Sequence, residues 1–211
     1  MSVLLIPART HGRVLVNDAE TPSGRLLVTF HGYGQSAEDA LADAQQISGI
    51  GAWRIAAVQG LHRFYARGHE GVVASWMTKQ DRDVTIADNT AYLDEVLRQV
   101  AAPAETIVFA GFSQGASMAY RCAQRCERTA AGVIAVAGDV PPELTGPTRR
   151  PWPPIFLAGG LEDPWFTPQK LDADAARLTE SGATVEVCRF AGKHEWTPEL
   201  SQAAGAWLAR V

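Results

Sequence analysis

Residues 106–127 constrain the fold of this chain more than any other stretch. Thr106-Ile107-Val108-Phe109-Ala110 is short, apolar and partly β-branched, the pattern of a strand buried on both faces of a parallel sheet. Gly111-Phe112-Ser113-Gln114-Gly115 follows. Residues 116–127 then run without proline or glycine, with Ala116, Ala119, Ala123 and Cys126 at helical spacing. So tight a strand-to-helix turn forces the serine into strained backbone geometry, and its neighbours must lack a Cβ. Gly111 and Gly115 meet that need. The Ser113 hydroxyl then stands clear above the sheet, and the Gln114 N–H, opening the helix, points at the same space. Five residues alone fit equally well a glycine-rich turn with an ordinary capping serine. Partners elsewhere in the chain decide between the two.

The rest of the chain alternates apolar runs with helical patterns. Residues 3–6 and 13–16, around Gly12, suggest an opening hairpin. Residues 25–30 read as a buried strand leading into His31-Gly32-Tyr33-Gly34, and Ser36 can cap a helix to about Ile47 with Asp39 in its first turn. Residues 53–58 form the next strand. Residues 59–83 are irregular, and a loop of that length inside a compact domain is usually functional. A helix over 84–100 carries Ile86, Thr90, Leu93, Leu97 and Val100 on one stripe. Further strands are expected at 131–137, 155–158 and 184–190. Thr167-Pro168 and Thr197-Pro198 each open a helix with threonine as cap and proline at the first helical position, and 141–154 reads as a surface loop. Such alternation predicts an α/β fold with a mostly parallel central sheet covered on both faces. Ligands then bind beyond the carboxyl ends of the strands.

With 211 residues, the chain is expected to be a single domain spanning 1–211. Its 19 basic and 23 acidic residues leave a net charge of −4, which argues against a nucleic-acid partner. Three cysteines without paired spacing fit a reducing, cytoplasmic setting, with Cys122 and Cys126 filling the core of one helix. The apolar run at residues 3–6 lacks the preceding positive charge of a signal peptide, and no run approaches the ~18 apolar residues of a membrane span.

Ser113, Asp163 and His194 each follow a strand and so should reach one edge of the sheet, in the chain order Ser, Asp, His. A serine hydroxyl needs an adjacent base at neutral pH. Histidine suits the task, and a carboxylate fixes its tautomer and stabilises the imidazolium. Among the five histidines, His11, His31, His62 and His69 lie elsewhere, and only His194 follows the last strand. Asp163 competes with Glu162 and Asp139 as the acid. The glycines around Tyr33 free its N–H to act with that of Gln114 as an oxyanion hole. Trp76, Trp165 and Phe166 are candidate substrate-binding residues, although the tryptophans fit packing as well. Arg63 and Arg67 suit either a solvated rim or an anion contact.

His31-Gly32-x-Gly34, Trp76, Gly111-Phe112-Ser113-Gln114-Gly115, Gly159-x-x-Asp163 and Gly-x-His194 occur in the order of one known family. The chain resembles an α/β-hydrolase of the phospholipase/carboxylesterase group, similar to bacterial carboxylesterases and acyl-protein thioesterases. It departs where Trp76 is followed by Met77 and Thr78 rather than by an aromatic and an aspartate, and in the bulk of Pro164-Trp165-Phe166. The resemblance implies an α/β-hydrolase fold without a large cap domain. It also implies a Ser113–His194–Asp163 triad with oxyanion donors from Tyr33 and Gln114, and no cofactor or metal. The expected activity is carboxylesterase cleavage of small-molecule, short- to medium-chain esters by a monomer or homodimer. The alternatives are a thioesterase, lysophospholipase or serine peptidase on the same triad, or a binding module that has lost catalysis.

Overall fold

Apolar runs become strands and their glycine-rich ends become the loops of one edge. The computed structural model describes every residue except Met1, Pro22, His69, Glu70, Pro147 and Thr148; His69, one of the rival histidines, therefore lies outside the described residues. The elements in chain order are β1 (Arg13–Asn17), β2 (Arg25–Phe30), α1 (Ala37–Gln45), β3 (Arg54–Gln59), β4 (His62–Tyr65), β5 (Val72–Ser75), α2 (Arg82–Val100), β6 (Thr106–Phe112), α3 (Gln114–Arg125), β7 (Gly132–Val136), β8 (Ile155–Gly160), α4 (Pro168–Glu180), β9 (Val185–Phe190) and α5 (Pro198–Leu208).

Seven strands form one sheet in the order β1-β3-β2-β6-β7-β8-β9. All neighbours pair in parallel except β1, which lies antiparallel against β3. The central strands β6, β7 and β8 are buried almost end to end, as a sheet covered on both faces requires. Right-handed crossovers put α1, which leads from β2 back to β3, on one face, and α2, α3 and α4 on the other. Helix α5 shares the α1 face: Ser48 N–H donates to the Ser201 carbonyl, and a Cβ at Gly205 would collide with the Ser48 backbone. The direction of winding reverses between β2 and β6. A crevice opens at such a point, beyond the carboxyl ends of the strands.

Helix starts follow the expected chemistry. Ser36 and Asp39 make a reciprocal capping box on α1, and the Thr197 side chain accepts the Leu200 N–H on α5. Thr167 precedes Pro168 at the start of α4 without a side-chain cap bond. Cys122 in α3 and Cys126 at its C-terminal cap are both buried, and burial pushes the Cys122 thiol well above its usual range.

Two expectations are corrected. Residues 3–6 do not pair with β1: they are exposed and without regular structure, and β1 takes β3 as its antiparallel neighbour instead. A continuous buried sheet offers β1 a longer partner than four residues of free arm could. The stretch 59–83 is not wholly irregular, since β4 and β5 pair antiparallel within it as a small ribbon. Of the two readings open for Arg63, the structure favours the exposed rim: its guanidinium donates to the His11 carbonyl at 3.0 Å and so ties the N-terminal arm to β4.

Candidate active site

Strand β6 delivers Ser113 at a φ of 55° and ψ of −118°, a conformation an L-residue adopts only when its surroundings impose it. Three backbone contacts impose it. A Cβ at Gly111 would overlap the Gly115 carbonyl, one at Gly115 would overlap the carbonyl of Phe30 at the end of β2, and one at Gly138 would overlap the carbonyl of Ser113 itself. The Ser113 N–H donates to the Val136 carbonyl at 2.8 Å, so β7 braces the turn from its other side. Ala137, just after β7, also has a positive φ, 53°, so a second strained residue lines the same cleft as the serine.

Asp163 and His194 come from the exits of β8 and β9, which are laced by main-chain bonds. Leu161 N–H donates to Phe190 O at 3.0 Å and Glu162 N–H to Gly192 O at 2.9 Å. The approach is close enough that a Cβ at Gly160 would overlap the Lys193 carbonyl. His194 Nδ1 and Asp163 Oδ2 lie 2.7 Å apart, with the carboxylate wholly buried and the imidazole side chain 14% exposed. Asp163 Oδ1 accepts the N–H groups of Trp165 at 2.8 Å and Phe166 at 2.9 Å. Both oxygens are thus directed by fixed donors, and Nδ1 carries the proton of the neutral ring, leaving Nε2 as a base. The imidazole lies between the rings of Phe112, centroid distance 4.9 Å, and Trp165, 5.0 Å. Among the described residues neither rival acid bonds His194: Asp139 pairs with Lys170 at 3.3 Å, and Glu162 is exposed.

Ser113 and His194 line the same cleft, of about 240 Å³, with Gln114, Ser117, Asp139, Trp165, Phe166 and Lys170 among its walls. No hydrogen bond joins Ser113 to His194 among the described residues; in unliganded sites such contacts are commonly long and tighten when substrate binds.

The loop after β2 uses up its main-chain donors selectively. Gly32 N–H donates to Gln35 Oε1 at 2.7 Å, Gly34 N–H to Ala74 O at 2.9 Å, and Gln35 N–H to Gly32 O at 3.3 Å. Among the described residues the Tyr33 N–H has no partner, and neither has the Gln114 N–H at the first position of α3. Two main-chain donors are therefore unspent, one in the loop after β2 and one at the first position of α3.

Of the three expected substrate-binding residues, Trp165 is 67% exposed beside His194. Phe166 reaches the cleft but is almost wholly buried against Gly159. Trp76 is corrected: it has no exposed surface and cannot form a wall. Its indole packs edge-on to Phe30 and stacks on His31, and its Nε1 donates to the His31 carbonyl at 2.9 Å. His31 is a structural residue as well. Gly60 N–H donates to its Nε2 at 2.9 Å, so the ring proton sits on Nδ1 and is directed at the Gly32 carbonyl, 2.7 Å away. Burial lowers the pKa of this imidazole, consistent with a neutral ring. The side chain of Gln114 is a further element that the sequence did not reveal. Its Oε1 accepts Trp76 N–H at 2.8 Å and the Ser75 hydroxyl at 3.2 Å, and its Nε2 donates to Met77 O at 2.9 Å.

The parallel sheet, the strand–serine–helix turn and the winding reversal define the chain as an α/β-hydrolase. The family model described as Phospholipase/Carboxylesterase matches residues 70–209, and the chain belongs to that family; it is a hydrolase of the carboxylesterase type. Among solved structures, it is similar to esterase PE8, with 22% identity, TM-score 0.78 and coverage of 96% of this chain and 100% of that one. The Zea mays acyl-protein thioesterase 2 is 15% identical, with TM-score 0.76 and coverage of 95% and 99%. The Bacillus cereus carboxylesterase is 21% identical, with TM-score 0.71 and coverage of 94% of each chain. No curated protein sequence matches the chain. Among the described residues no helix is long and apolar enough to cross a membrane.

Proposed function

We propose that this protein is a serine carboxylesterase in which Ser113 is the nucleophile, His194 the general base and Asp163 the residue that orients it. The observation that carries this reading is the buried Asp163–His194 pair at 2.7 Å, facing the same cleft as a serine in strained geometry. Ser113 Oγ attacks the ester carbonyl as His194 Nε2 takes its proton. The carbonyl oxygen, becoming an oxyanion, is received by the N–H groups of Tyr33 and Gln114. His194 then protonates the departing alcohol, and the acyl-enzyme remains. Water attacks that acyl group with His194 again as base, and Ser113 is released. Asp163 stays ionised throughout, held by the Trp165 and Phe166 amides, and stabilises the transient imidazolium.

The cleft is small and bounded by Trp165, Phe166 and the Asp139–Lys170 pair, which supports short- to medium-chain acyl esters as substrates. Because one buried methylene is worth only ~0.8 kcal/mol, chain-length preference is graded. A thioester reading on the same residues is favoured by the likeness to the maize acyl-protein thioesterase. We further read residues 1–211 as one catalytic domain, acting on small molecules.

A fluorophosphonate probe tests the assignment. It should label Ser113, located by mass spectrometry, while Ser113→Ala should neither be labelled nor hydrolyse p-nitrophenyl esters above background. Full labelling of Ser113→Ala would refute the reading. A panel of p-nitrophenyl esters and matched thioesters from two to sixteen carbons tests the substrate class, and a preference for chains of about twelve carbons or more would overturn the small pocket.

A further inference from the structure

Gln114 has two parts with different surroundings. Its N–H is unspent at the start of α3, whereas its side-chain amide is spent entirely on residues 75–77. Ser75 ends β5 and Trp76 and Met77 follow it, and β5 is in turn fastened to the loop that carries Tyr33. Ala74 N–H donates to Gln35 O at 2.8 Å, Gly34 N–H donates to Ala74 O at 2.9 Å, and Trp76 Nε1 donates to His31 O at 2.9 Å. From the other side, Asn89 on α2 donates to Trp76 O at 2.7 Å. A continuous path of hydrogen bonds therefore runs from the side chain of Gln114, through Trp76, to the main chain on both sides of Tyr33.

We propose that the Gln114 side chain is a positioning residue that holds the Tyr33 N–H in register with its own N–H, so that the two oxyanion donors form one rigid frame. This inference rests on the carboxylesterase reading. The physical ground is that an oxyanion hole works by preorganisation: donors must already stand about 2.7–3.1 Å from where the charge will develop. Gly32 and Gly34 give the Tyr33 loop little stiffness of its own. The stiffness comes from β5 and Trp76, and Gln114 is the group that fastens β5 to the nucleophile turn. The amide suits this place because it needs an acceptor toward Trp76 N–H and a donor toward Met77 O at once.

The test uses Gln114→Met, which keeps the N–H and the volume but removes all three side-chain bonds, and Gln114→Glu, which keeps the two acceptor contacts and can donate to Met77 O only while its carboxyl is protonated. Both are compared with wild type for kcat and KM on p-nitrophenyl butyrate from pH 5 to 9, well below the melting temperature of each variant, with Ser113→Ala in parallel. Gln114→Met should lose kcat ten- to a hundredfold, approaching the cost of a lost oxyanion donor, with KM changed less than twofold. The ratio of Gln114→Glu to wild type should be highest at acid pH and fall as the carboxyl ionises and its oxygen faces the Met77 carbonyl, where Gln114 Nε2 donates in the wild type. If Gln114→Met keeps kcat within twofold, or if Gln114→Glu shows a pH-independent ratio, the positioning role is overturned. Should Gln114→Met fail to fold, the pH ratio of Gln114→Glu decides alone. Activity surviving in Ser113→Ala would instead overturn the parent reading.

Discussion

The two banks of the cleft are built by different means. On the β8–β9 bank, Asp163 and His194 are brought together by main-chain hydrogen bonds between two loop exits and by glycines that let the loops touch. On the β2 bank, one main-chain bridge to Ala74 is supplemented by side chains: His31, Gln35, Trp76, Asn89 and Gln114 each bond to main chain distant from themselves or across the turn. Most buried polar groups in proteins are satisfied one way or the other, but the consequences differ. A main-chain lattice survives most substitutions that avoid its glycines. A side-chain lattice leaves an orphaned buried donor or acceptor at each substitution, costing about 1–3 kcal/mol apiece.

The strongest way to break the comparison is to remove chemistry from the first bank. His194→Ala should lower kcat by a factor on the order of 10⁶, and Asp163→Asn by roughly 10⁴, both measured on a short p-nitrophenyl ester. Each variant should melt near the wild-type temperature, because Asp163→Asn keeps the oxygen that accepts the Trp165 and Phe166 amides and main-chain bonds hold the loop exits without His194. Tenfold or smaller losses in Asp163→Asn, with a large loss in Asp139→Asn, would move the acid to the end of β7.

Next in size is Trp76→Ala on the second bank, expected to cost about 3–5 kcal/mol of stability from the lost packing alone and to lower the chemical denaturation midpoint accordingly. Its exposed counterpart Trp165→Ala should leave stability within about 0.5 kcal/mol while raising KM. Equal stability losses at the two tryptophans would erase the distinction between the banks.

A smaller effect sharpens it through pH. Burial depresses the pKa of His31 in the folded protein, so below the unfolded histidine value of ~6.5 the unfolded chain binds a proton more readily. The stability contributed by neutral His31 is thus present above about pH 6.5 and lost as pH falls. Melting temperatures from pH 8 to 5 should fall more steeply in wild type than in His31→Gln, even though the variant starts lower; parallel slopes would dissociate His31 from the effect. Smallest of all is Arg63→Ala. With its guanidinium on the His11 carbonyl, the change should leave KM the same for neutral and carboxylate-bearing esters, and a selective rise for the latter would return the arginine to the site.

The same contrast explains what could be read from the chain. The first bank was legible: strand, glycine and functional residue follow one another along the sequence at Gly159-Gly160 to Asp163 and at Phe190 to His194, and the register of parallel strands does the rest. The seven-stranded sheet was legible for the same reason, since buried strands are apolar runs with turn residues at their ends. The second bank was not. Trp76 in a long polar stretch looked like a pocket wall, because nothing local announces that its indole will be sealed under His31. The side chain of Gln114 was passed over for its N–H, because its partners lie 37–39 positions away, and a hydrogen bond at that separation leaves no periodic trace. The ribbon of β4 and β5 escaped notice since its first strand, His62–Tyr65, is exposed throughout and lacks the alternation that marks a half-buried strand.

Tyr33 has a consequence of its own. Its side chain is 64% exposed and rests on Phe64, while on the proposed reading its N–H does the chemistry. Every residue but proline supplies that same N–H. Position 33 can therefore change identity across generations without touching that proposed donor, and each change would redecorate the exposed surface it shares with Phe64. Innovation in what the protein accepts is in this way separated from preservation of how it reacts, at a single residue.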